Sequence, residues 1–142
     1  MRRFFVLALL PACAHAAPID DPKSDAPLHA RVALRCPAET PENSAKNAQG
    51  GQRVQGSPMV PLSQDTLVRL HNRGYNRVTV VARVCEDPMG AVSCIDFGAG
   101  TRPREVAQTI VDAVQDWKYT PSTLNGQAIE ACGMLTFNYK IQ

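Results

Sequence analysis

Leu28, Ala30, Val32 and Leu34 alternate with His29, Arg31 and Arg35, the period-two pattern of a half-buried strand ending near Cys36. Residues 37–57 are polar and rich in Gly, Asn, Gln and Glu, which predicts a mobile surface loop. Ser63 then stands as an N-cap, with Leu62 placed to pack on Leu67 as a hydrophobic staple and Gly74 as the stop of a first helix. Leu67 and Leu70, with Val68 beside them, form its apolar side. A β-rich run follows from Arg77 to Cys85, and Asp87, Pro88, Met89 and Gly90 supply the turn of a hairpin. Val92, Ile95 and Phe97 carry the returning strand, and the step from 92 to 95 breaks alternation in the manner of a bulge.

Val106, Ala107, Ile110, Ala113, Val114 and Trp117 recur at helical spacing after Pro103, with Arg104, Glu105, Gln108, Asp112 and Asp116 on the wet face. This second helix is expected to run until Pro121, since proline has no N–H for the helical ladder. Asn125 and Gly126 turn the chain, and Gly133, Leu135, Phe137, Tyr139 and Ile141 share one face of a closing strand. Two amphipathic helices and a sheet of three to four mainly antiparallel strands bury their apolar sides as a two-layer α+β sandwich, with both helices on one face. A crossover through the long helix gives the strand order 2-1-3, right-handed, with the last strand at an edge unless the N-terminal strand covers it.

The first 16 residues change the charge picture. Arg2 and Arg3, the apolar run from Phe4 to Leu10 and the small residues Ala14 and Ala16 form a secretory signal layout, expected to be cleaved after Ala16. Leu10, Ala12 and Cys13 half match a lipobox, but Pro11 is awkward there, so lipidation at Cys13 is the less favoured reading. The apolar run falls well short of the ~20 residues of a spanning helix. Loss of two arginines takes the balance from 15 basic and 13 acidic residues to 13 of each, leaving no electrostatic footprint for nucleic acid or anionic lipid. The organisation expected is a signal peptide at 1–16, a flexible leader at 17–27, an extra strand and polar loop at 28–57, and one domain at 58–142.

Cys36, Cys85, Cys94 and Cys132 remain after cleavage, and an even count in an exported chain reads as two disulfides. A zinc site wants closer pairs than these spacings give, so no metal is expected. With Asp87 opposite Ala91, the regular hairpin register sets Cys94 across from Val84, so Cys85 and Cys94 face opposite ways unless the bulge intervenes. Cys85 ends the central strand where Cys132 starts its antiparallel neighbour, which favours Cys85 with Cys132 and then Cys36 with Cys94. Four cysteines permit three pairings, and the spacing alone leaves all three open.

Candidate chemistry is sparse. His29 falls on the outer face of a strand, and His71 near a helix C-terminus reads as a favourable cation there. Asp96, Glu105, Asp112 and Asp116 are mostly solvated helix charges. No nucleophile elbow, zinc-protease helix, phosphate loop or dinucleotide fingerprint is present, so neither an enzyme nor a cofactor nor a small-molecule substrate is expected.

Val78, Val80, Ala82 and Val84, then Gly90 and Val92, then Trp117, Tyr119 and Pro121, then Asn125 with Gly126, then Phe137, stand in an order that resembles the C-terminal domain of TonB-type energy transducers over residues 58–141. The resemblance implies a domain that captures an extended segment of an outer-membrane transporter by adding it to an exposed sheet edge. Thr136, Asn138 and Lys140 are the partner-binding positions it points to, on the last strand. A full transducer would resemble an inner-membrane anchor and a proline-rich spacer followed by this domain; a cleavable signal in place of the anchor predicts a free-standing periplasmic relative, monomeric or strand-swapped. The alternative is a secreted, disulfide-stapled inhibitor or immunity-type protein acting through the polar loop at 37–57.

Overall fold

The computed structural model describes residues 27–46, 48–98 and 102–142. The signal layout, Cys13, Ala16 and almost all of the expected leader lie outside these residues.

Helix α1 (Gln64–Asn72) begins where its cap predicts: the Ser63 Oγ accepts from the Thr66 N–H, and the Leu67 N–H donates to the Ser63 carbonyl. It ends at Gly74, whose N–H donates to His71 O while Tyr75 N–H reaches Leu70 O. Leu70 is fully buried and Leu67 is partly buried, but Val68 stays 48% exposed, so the apolar face is narrower than the pattern implies. Strands β2 (Arg77–Glu86) and β3 (Val92–Phe97) form the hairpin around Asp87–Gly90.

Helix α2 (Arg104–Val114) is shorter than Pro121 as its stop would allow. Gln115 is its C-cap, and Trp117, 3% exposed, lies beyond the helix, where Lys118 and Tyr119 already form strand β4 (Lys118–Tyr119). The reason is an earlier claim on the backbone. Strand β1 (Arg53–Gln55) pairs antiparallel with β4, Tyr119 N–H donates to Gly90 O, and the Arg53 guanidinium stacks 4.5 Å over the Trp117 ring. Strands β5 (Thr123–Leu124) and β6 (Gln127–Ala128) make the Asn125–Gly126 hairpin, and the last strand, β7 (Ala131–Lys140), begins one residue before Cys132.

The main sheet has the order β3-β2-β7 with β2 antiparallel to both neighbours, and the two ribbons β1-β4 and β5-β6 stand beside it. Val78, Val80, Ala82 and Val84 of β2, with Ile95 and Phe137 from its neighbours, pack against Leu70 of α1 and Val106, Ile110, Val111 and Val114 of α2 in one core. This is a small α+β sandwich with the order 2-1-3 for its main strands.

Two expectations need correction. The segment at 28–36 is no regular strand: it makes one parallel bridge, Ala33 with Cys94, on the β3 side of the sheet. It runs across the face of α2 expected to be wet, where Gln108 Nε2 donates to His29 O and Gln108 Oε1 accepts from His29 N–H. Arg31 meets Gln115 and Asp116, and Arg104 reaches the Pro27 carbonyl. The polar stretch at 37–57 is tied down as well, through Ala45 and Asn43 to Cys132, Gln49 to Thr123, and Gly51 and Gln52 to Thr120. Its lack of apolar residues hid this because main-chain bonds hold it.

Candidate functional site

The exposed border of β7 is set by the phase of its main chain. Cys132 donates its N–H to Asn43 O at 2.8 Å and accepts from Ala45 N–H at 3.0 Å, so its peptide groups point away from β2. Direction alternates along an antiparallel strand. Met134, Thr136, Asn138 and Lys140 therefore turn their N–H and C=O groups outward, while Ile141, on the opposite phase, donates to Asn76 O at 2.9 Å. The segment around Ser44 covers only the first residues of β7. From Met134 to Lys140 the border has no main-chain partner among the described residues, a length of roughly 20 Å at the usual rise.

Thr136, Asn138 and Lys140 are all exposed and share the helix-free face of the sheet. Asn138 is held across the ladder by Thr79 Oγ1, which donates to its Oδ1 at 2.8 Å. Met134 and Val81, 59% and 41% exposed, add apolar surface to the same face. The N-terminal segment lies at the opposite border of the sheet, beside β3.

The four cysteines form a row across the far end of the sheet. Cys85 is bonded to Cys132 and Cys36 to Cys94. The hairpin register differs from the regular one: the bulge at Ser93 sets Cys94 opposite Cys85 in place of Val84. The sulfurs of Cys36, Cys85 and Cys94 lie within 4.8 Å of one another, a grouping that the two bonds account for.

His29 and His71 are both exposed, the first on the segment over α2 and the second on α1. Glu105 pairs with Arg73, Asp116 with Arg31, and Asp112 accepts from Gln108, so these carboxylates serve helix and strap contacts.

One acid went unnoticed in the sequence. Glu86, at the end of β2, is only 5% exposed and accepts a hydrogen bond from the Ser122 hydroxyl, itself 2% exposed. Burial pushes its carboxyl above the usual range, against the hydrogen bonds from Ser122, with the nearby Asp87 charge adding to the rise. The signal was available only in hindsight: Glu86 continues the alternating apolar phase of Val80, Ala82 and Val84. It borders a cavity of about 270 Å³.

Among the described residues no helix is long and apolar enough to cross a membrane. The chain matches no model of a known protein family. Comparison with curated proteins gives no significant match either.

Proposed function

We propose that this chain is a protein-recognition module which takes an extended segment of a partner as a further strand on the free border of β7. The observation that carries the reading is the run of outward, unpaired main-chain groups at Met134, Thr136, Asn138 and Lys140. A polar backbone presented in strand conformation is a template for another strand. Thr136, Asn138 and Lys140 then select the partner through alternate side chains. The order of motifs that resembles the TonB C-terminal domain favours an envelope protein as partner, such as an outer-membrane transporter, and the signal layout with two disulfides favours the periplasm as the setting. The inhibitor reading is weaker, because the polar stretch it relies on is spent on main-chain contacts to β7 and the ribbons.

The test is Asn138→Pro. The Asn138 N–H lies on the outward phase, so proline there removes a donor from the border without removing one from the β2 ladder. Capture of an outer-membrane or trans-envelope protein from envelope extract should be lost in this variant while near-ultraviolet dichroism of Trp117 is kept. Undiminished capture by the folded variant, or capture of a soluble hydrolase in its place, would reject the reading.

A further inference from the structure

A half-open pocket lies beside Glu86. At about 270 Å³ it has room for several water molecules, and it falls just under the usual range of small-ligand pockets, roughly 300–1,000 Å³. Val84, Ala131 and Leu135 supply apolar walls, and Tyr119 borders the same space. The loop at Gly50 and Gly51 closes over it, tied by Gly51 N–H to Thr120 O at 3.1 Å. Gly51 has φ +66°, and a Cβ there would fall 2.6 Å from Ser122 Oγ and 3.5 Å from Glu86 Oε1. Only glycine lets the main chain lie this close to the carboxyl.

Within this space sits one polar pair, and it is lopsided. Glu86 is nearly sealed from solvent and receives the Ser122 hydroxyl, but among the described residues it has no cationic partner. A buried carboxylate is normally matched by an opposite charge. The Arg53 guanidinium is engaged with the Trp117 ring and with the Tyr119 hydroxyl. The walls are mainly apolar, and of the two ionisable residues that line the space, Glu86 and Tyr119, the acid is Glu86, so the complementary occupant carries a positive head on a short hydrocarbon body.

We infer that this cavity is a binding site for a small organic cation, an alkylammonium of about four to six carbons, with Glu86 as its counter-ion and Ser122 as the group that orients the carboxyl. Its polar groups are distinct from the outward main-chain groups of the β7 border, since they come from the Glu86 end of β2 and from Ser122 just before β5. It also goes beyond the sequence pattern, which gave no sign of a small-molecule site.

The probe is n-butylammonium, set against n-butanol as its neutral counterpart of similar size, added to the oxidised chain and followed by amide NMR. Saturable shifts at Gly51, Glu86 and Ser122 are expected with the ammonium, and the alcohol should bind at least about tenfold more weakly. Glu86→Gln, which keeps the shape, should erase that difference, and Ala131→Leu, which fills the space without altering charge, should abolish both responses. Equal binding of the two probes, no saturable shift at these amides, or full ammonium affinity in Glu86→Gln would each overturn the proposal. Should Glu86→Gln fail to fold, the comparison of the two probes on the unaltered chain decides the matter alone.

Discussion

Cys94 lies directly opposite Cys85 in the β2–β3 ladder, yet each is bonded to a residue on its other side, Cys94 to Cys36 and Cys85 to Cys132. The two bonds thus run in line across the N-terminal segment, β3, β2 and β7. Removing Cys36 leaves the Cys94 thiol beside the neighbouring bond, with the sulfurs of Cys85 and Cys94 within 4.8 Å. A thiolate so placed attacks a disulfide. Cys36→Ser is therefore expected to yield a mixture of Cys85–Cys132 and Cys85–Cys94 species on non-reducing digestion, whereas a single native bond in that variant would show that the row is rigid. Replacing both Cys85 and Cys132 by Ala should cost about 2–4 kcal/mol in urea unfolding.

Gln108 clamps the main chain of His29 with both ends of its amide, at 2.8 and 2.9 Å, as a neighbouring strand would. Gln108→Ala removes the two hydrogen bonds to His29 and a third to Asp112, all at an exposed site, so a loss of about 1 kcal/mol is expected. Amide exchange at His29 and Arg31 should rise sharply, while Ala33, whose N–H donates to Ser93 O, should be little affected. Unchanged exchange at His29 would mean that the other contacts of the segment hold it without Gln108.

The elements with local signals were legible: the Ser63 cap, the Asp87–Gly90 turn, the apolar phase of α2 and the Asn125–Gly126 turn each rest on residues within a few positions of one another. What escaped depends on distant partners. The segment at 28–36 alternates like a strand, but Gln108 and Gln115 engage its main chain, so one bridge is all the ladder it makes. Trp117 fits the helical phase, but β1 and Gly90 draw the following residues into a ribbon. Of the candidate border, the exposed positions Thr136, Asn138 and Lys140 could be read from alternation alone. The partial cover from Ser44 could not, because it is a main-chain contact with no side-chain pattern to announce it.

Gly90 has φ +82°, and a Cβ there would run into the Tyr119 carbonyl oxygen, which belongs to a different element. Gly126 has a similar φ of +78° with nothing within 4 Å. Backbone strain is common to both, at about 1–2 kcal/mol for an alanine. Gly90→Ala must in addition push β4 off the hairpin, so it should destabilise by roughly twice as much as Gly126→Ala in urea titration. Equal costs would show that β4 yields freely.

The Tyr139 hydroxyl is buried without a hydrogen-bond partner, and burial pushes its ionisation up to about 12 from an ordinary value of 10.0. A folded state that keeps a proton the unfolded chain gives up loses stability as pH rises between those values. Tyr139→Phe removes both the unpartnered hydroxyl and this loss of stability at alkaline pH. The variant should be more stable than the parent by about 1 kcal/mol near neutrality, with the gap widening above pH 10. A less stable variant would show that the hydroxyl is satisfied in solution.

Glu86 carries the corresponding argument at the acid side. Its carboxyl titrates above 4.5 in the folded chain, chiefly because it is buried, with the hydrogen bonds from Ser122 opposing and Asp87 reinforcing the shift. Below 4.5 both folded and unfolded chains hold the proton. As pH rises from there through the folded value, the unfolded chain ionises first, so the folded state loses stability across that window and the loss levels off above it. Glu86→Gln has no proton to lose. The stability difference between the parent and this variant, measured by urea unfolding at closely spaced pH values, should therefore move against the parent as pH rises through the window. A difference that moves in the parent's favour would mean that Glu86 is stabilised as the anion, and its carboxyl would then need a fixed cationic partner in the folded chain.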